Sequence, residues 1–150
     1  MPVFLQAWGK NQVFLTWLLA CIVAQTTKIT LGTLRERRFD FRWFVGTGGM
    51  PSTHAAGVTA LSTAIGLQLG FDAPLFAAAV AFTVVTLFDA QGVRRSSGLQ
   101  AKVLNKMLED IYFQRRIQEE QIKEFLGHTP TEVFAGMGVG VVTALVVCGN

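Results

Sequence analysis

The sequence is short of charge, of histidine and of cysteine. Charged residues make up 15% of its 150 residues against 51% hydrophobic, where an ordinary soluble domain carries about 25% charge. With a mean hydropathy of +0.41, that shortage argues for a membrane protein over the alternative, a soluble helical core. The two cysteines, Cys21 and Cys148, sit in apolar runs without metal-ligand spacing, which excludes a disulfide scaffold or a zinc site as the expectation. The opening "MPVFLQAWGKNQ" lacks a basic start leading to a small-residue cleavage site, so no cleaved signal peptide is expected. No internal repeat or low-complexity linker divides the chain, which reads as one domain, 1–150.

What the chain has in quantity is uninterrupted apolar sequence. Runs at 13–34, 54–70, 74–88 and 130–147 approach the ~20 residues of a membrane-crossing helix, and predict an all-α integral membrane bundle of about four transmembrane helices. The middle two are short, and read as a hairpin turning at "LGFDAP", with Gly70, Asp72 and Pro74 as breakers, that crosses a thin or protein-lined region. If all four cross, Lys10 lies on one side and the other twelve Lys and Arg on the other. The positive-inside rule then places the basic face in the cytoplasm and both termini outside it.

The polar segment 91–127 reads as a cytoplasmic helical insertion. Val103, Met107, Leu108 and Ile111 recur at helical spacing apart from Lys102, Lys106, Glu109 and Asp110. That pattern suits a helix lying on the membrane surface, or one that binds a partner or a second copy. Acidic residues interleave with the basic ones and no recognition motif accompanies them, so the lipid bilayer is the expected partner and nucleic acid is not.

Threaded up and down, the remaining ionisable residues collect at one membrane face: Lys28 and Arg35 ending the first run, His54 starting the second, Asp89 with Arg94 and Arg95 after the third, His128 and Glu132 starting the fourth. Charge at membrane depth is costly and marks functional sites by default. Lys28 and Arg35 are seven apart and His128 and Glu132 four apart, so each pair shares a helix face. Clustered cations suit an anion such as phosphate, and the loop "GTGGMPS" offers backbone N–H groups and the Ser52 hydroxyl at a helix N-terminus. Two histidines beside a phosphate divide into nucleophile and proton donor, with a carboxylate to orient the first. Such chemistry needs neither metal nor cofactor.

Each residue also has a plainer role. Thr129, Pro130 and Glu132 form a capping box with proline at the first helical position. His54 can face headgroups, Lys28 can snorkel, and Arg35, Arg37, Arg38 and Arg42 can be positive-inside anchors. Asp89 is the natural ion-pair partner of Arg94 or Arg95, a supporting role. Gly136 and Gly140 suit close helix packing. Convergence on one face is what favours function.

These motifs resemble the type 2 phosphatidic acid phosphatases, relatives of bacterial acid phosphatases and vanadium haloperoxidases, whose signature runs K-x6-R-P, P-S-G-H and S-R-x5-H-x3-D. Lys28-x6-Arg35 matches the first with Glu36 in place of proline, "PSTH" at 51–54 the second with Thr53 in place of glycine, and His128-x3-Glu132 the end of the third with Glu in place of Asp. The arginine of S-R is missing: Ile122 stands six positions before His128, leaving Arg94 or Arg95 as its replacement. "GGMPSTH" with "DAQGVRR" is similar to the divergent branch of that superfamily, short integral membrane proteins of bacteria and plastids. The resemblance covers roughly 28–140.

The resemblance implies a bacterial inner membrane or plastid membrane, with a metal-independent site facing cytoplasm or stroma. His128 is then the nucleophile, forming a phosphohistidine, Glu132 orients it and His54 protonates the leaving group. Lys28, Arg35 and one of Arg94 or Arg95 hold the phosphate, assisted by Ser52 and the amides near Gly48 and Gly49. The substrate class it implies is a membrane lipid phosphate or diphosphate. The competing expectation is a non-catalytic membrane scaffold or accessory subunit that binds phospholipid headgroups in a remnant pocket, a reading favoured by the loss of S-R. Vanadate-dependent halide oxidation shares the anion site but suits so small a membrane protein poorly. Four spans give a thin core, so a homo-oligomer or a membrane-protein complex is compatible with either reading.

Overall fold

A computed structural model describes residues 10–37, 49–91, 100–108 and 128–149. Within them the chain forms α1 (Gln12–Glu36), α2 (Thr53–Leu69), α3 (Pro74–Gln91), α4 (100–108) and α5 (Pro130–Cys148), with no strand among the described residues. Local chemistry sets the helix ends. Asn11 caps α1 by accepting from Phe14 N–H at 3.0 Å, Ser52 caps α2 from Ala55 N–H at 3.3 Å, and Thr129 and Glu132 complete a capping box on α5. Between α2 and α3 the chain reverses at Gly70, whose φ of 96° lies in the region that favours glycine. Phe71 and Phe76 close that turn edge to face at 5.1 Å.

Helix α2 is the hub, packed against α1, α3 and α5. It runs parallel to α5, since Ser52 N–H donates to the Glu132 carbonyl at one end while Gln68 and Cys148 meet at the other. Close approach depends on two glycines of α5. A Cβ at Gly136 would meet the Ser52 carbonyl and lie 2.9 Å from Ala55 Cβ, and one at Gly140 would lie 2.5 Å from the Ala56 carbonyl. Helices α1 and α3 run antiparallel to α2. The four long helices thus bring the C-terminal ends of α1 and α3 and the N-terminal ends of α2 and α5 to one end of the bundle.

The core is inverted relative to a soluble protein. Ala20, Ala24, Ala55, Ala56, Ala60, Ala64 and Ala144 are buried, while Leu, Ile, Val and Phe side chains line the outside, with Phe88 74% and Val146 71% exposed. Small residues inside and large apolar ones outside suit helices packed in hydrocarbon. Three helical segments, Gln12–Arg35, Pro74–Gln91 and Pro130–Cys148, are long and apolar enough to cross a membrane. The fourth expected span, α2, has 17 residues, or ~25 Å at 1.5 Å per residue. Most of it is enclosed by its neighbours.

Of the expected 91–127 insertion, Gln91, which ends α3, and residues 100–108 are described. There Ala101 and Asn105 are buried, whereas Val103, Leu104 and Met107 are exposed, as are Lys102 and Lys106.

Candidate functional site

The end of the bundle where the four long helices meet holds most of the ionisable residues the sequence singled out. His128 immediately precedes Thr129, the N-cap of α5, and is 5% exposed. Its backbone N–H reaches the Ala90 carbonyl in the last turn of α3 at 3.3 Å, which ties the residue to a helix distant in sequence. Its Nδ1 lies 3.1 Å from Glu132 Oε2. The same oxygen accepts from the Thr129 backbone N–H at 3.1 Å, while Glu132 N–H donates to Thr129 Oγ1 at 3.4 Å. Glu132 therefore caps the helix and fixes the imidazole at once. The remaining ring nitrogen, Nε2, is the one this arrangement leaves for chemistry.

His54, in the first turn of α2, stands with its ring centroid 6.3 Å from that of His128, the planes tilted by 56°. It is exposed, in contrast to His128. A phosphoryl group addressed by both rings needs ~3 Å to the attacking nitrogen and ~3 Å to the proton donor, a separation commensurate with this spacing.

Lys28 and Arg35 line one cavity of about 440 Å³ with Gly49, Glu132, Thr129 and Thr131. Lys28 is 6% exposed, its stem running beneath the loop that leads into α2. A Cβ on Gly49 would stand 3.0 Å from Lys28 Cε, and Gly49 has φ of 92°, so this position is fitted to glycine twice over. Gly32, four residues after Lys28 and three before Arg35, lines the same wall. Glu132 connects this cationic cavity to the histidine pair, although neither imidazole lies in the cavity lining.

Ser52 is fully buried, and its hydroxyl accepts from Ala55 N–H at the cap of α2. Its described bond therefore holds the helix start. Asp89 is exposed in the last turn of α3. Gly48, Arg94 and Arg95 lie outside the described residues, as do Arg38, Arg42 and Ile122.

Two features were not anticipated from the sequence. Thr129 and Thr131 share the cavity with Lys28 and Arg35, their hydroxyls 3.0 Å apart; position in the first turn of α5, next to Glu132, was the available signal. Thr53, which stands where the phosphatase signature has glycine, donates its hydroxyl to Gln25 Oε1 at 2.9 Å. Gln25 is three residues before Lys28, so this bond joins the histidine-bearing turn of α2 to the lysine-bearing face of α1.

Comparison with known proteins gives a consistent result. The profile of the Divergent PAP2 family matches residues 9–143. The uncharacterized membrane protein YuiD of Bacillus subtilis (strain 168) is 42% identical over 149 residues, covering 91% of this chain and 93% of its own length. No solved structure matches.

Proposed function

The chain belongs to the Divergent PAP2 family and is a membrane protein, and on that premise we propose that it is a lipid phosphate phosphatase working through a phosphohistidine, without a metal. The observation that carries this reading is the bond from His128 Nδ1 to Glu132 Oε2 at 3.1 Å, with the second imidazole centred 6.3 Å away. In the first step Nε2 of His128 forms a bond to phosphorus as the bond to the lipid oxygen breaks. The electron pair leaves with that oxygen, which takes a proton from His54. In the second, water attacks phosphorus, His54 takes its proton, and the N–P electron pair returns to His128. Glu132 supports the positive charge on the His128 ring during both steps.

Lys28 and Arg35 hold the phosphate, together with Gly49 and, among residues outside the described ones, Gly48 and one of Arg94 or Arg95. Ser52 assists by holding α2 in place. The bilayer carries the substrate: four helices cross it, α2 as the enclosed member, with the site at the cytoplasmic face and both termini opposite. The substrate class is a membrane lipid phosphate monoester or diphosphate.

The test is phosphate release from a panel of lipid phosphates by detergent-purified protein in excess chelator, comparing wild type with His128→Ala. Release that disappears in the variant supports the reading. No release from any lipid, with headgroup binding that depends on Lys28, overturns it in favour of the lipid-binding scaffold.

A further inference from the structure

A second cavity at this end, of about 240 Å³, lies between α1 and α2 and is lined by Trp17, Cys21, Thr53, His54, Gly57 and Val58. Its lining is mostly apolar, and His54 stands at its head. The floor is tight: a Cβ on Gly57 would come within 2.8 Å of Cys21 Sγ and 3.1 Å of Trp17 Nε1. Trp17 and Cys21 are one helical turn apart on α1, and His54 and Val58 one turn apart on α2, so the groove runs for roughly 6 Å along both helices. Beside it on α1, Leu18 and Ile22 are exposed on the outer, apolar surface, Ile22 by 52%.

We infer that this groove seats the start of the substrate's hydrocarbon portion, and that Trp17 and Gly57 decide which lipid phosphates fit. The inference rests on the phosphatase reading and extends it to substrate choice. In-line displacement places the leaving oxygen opposite the attacking His128 and beside the acid His54. The leaving oxygen is the atom that carries the lipid, so the chain must begin where His54 is. The groove between α1 and α2 includes His54 in its wall and adjoins the outer apolar surface. An apolar cleft of about 230 Å³ between α3 and α5, lined by Phe88 and Phe134 among others, has neither imidazole in its wall and does not meet that condition. The phosphoryl group then sits between the two imidazoles with its free oxygens toward Lys28 and Arg35, and the chain passes His54 into the Trp17 groove.

Cys21 reports on occupancy. In His128→Ala/Cys148→Ser protein in detergent micelles, alkylation of Cys21 by a small maleimide is expected to slow fivefold or more, about the effect of one well-placed apolar contact, when dioleoyl phosphatidic acid is added. Glycerol phosphate, the same headgroup without chains, leaves the rate unchanged. A rate unaffected by dioleoyl phosphatidic acid at concentrations that bind the protein overturns the groove assignment. In the otherwise wild-type chain, Trp17→Ala is expected to raise KM for dioleoyl phosphatidic acid about tenfold with kcat within about twofold; a KM that does not move overturns it independently. Protection of Cys21 together with no phosphate release by wild type supports the groove and overturns the phosphatase reading, so the two failures are distinct.

Discussion

One oxygen of Glu132 serves both the helix and His128: Oε2 lies 3.1 Å from the Thr129 backbone nitrogen and 3.1 Å from His128 Nδ1. The two roles separate on substitution. Glutamine at this position keeps a capping box but removes the negative charge, so Glu132→Gln should retain its thermal midpoint in detergent while losing about 10²-fold or more in kcat. Glu132→Asp, which restores the carboxylate found in the phosphatase signature, should recover most of the rate. Equal activity in Glu132→Gln and wild type would remove the carboxylate from the chemistry.

Gly49 and Lys28 form a second linked pair. Alanine at Gly49 meets Lys28 Cε at 3.0 Å and inherits φ of 92°, a conformation costing a non-glycine residue on the order of 1 kcal/mol. Gly49→Ala should shift the lysine and weaken competitive inhibition by inorganic phosphate about tenfold, with a smaller effect on kcat. Titration of phosphate inhibition in the two proteins checks it.

Arg35, unlike Lys28, is exposed at the edge of the same cavity. A rim cation meets the anion through solvent and is screened by salt. Arg35→Gln should therefore raise KM by a smaller factor than Lys28→Met and flatten its dependence on ionic strength, which a salt series on both variants measures.

The glycines of α5 give a prediction about stability alone. Gly140→Ala places a methyl 2.5 Å from the Ala56 carbonyl, whereas a Cβ at Gly138 meets nothing within 4 Å. The first should destabilise by about 1–3 kcal/mol, and Gly138→Ala should stay within about 0.5 kcal/mol or gain slightly. Thermal unfolding of both variants in one detergent decides it.

Much of the helical layout could be read from sequence because breakers and caps are local. Ser52, Gly70, Pro74, Thr129 and Pro130 mark helix boundaries by their own chemistry, and the observed helices begin and end within three residues of the apolar runs. The seven-residue spacing of Lys28 and Arg35 likewise foretold a shared wall, whereas His128 and Glu132, expected on one helix face, meet across the N-cap, since His128 lies ahead of the helix. What depended on helices meeting was out of reach. Nothing in the periodicity of α1 says that Gln25 faces Thr53, or that Trp17 and Cys21 close on Gly57. The enclosure of α2 was only partly legible: its alanine-rich composition allowed a protein-lined path, but its place at the centre follows from contacts with three partners. Counting apolar runs gave four spans with the middle two short, whereas helix length and hydropathy set only the 17-residue α2 apart from the other three.

The inverted distribution of side chains bears on how the molecule responds to temperature. A soluble domain unfolds by exposing buried Leu, Ile and Phe to water, and the resulting heat-capacity increment bends its stability curve. Here the buried positions are largely alanines and the bulky groups already face outward. Separating the helices within hydrocarbon would hydrate little new apolar surface. The corresponding increment should be small, leaving helix association nearly linear in temperature and without the cold-side loss of stability that soluble folds approach on cooling.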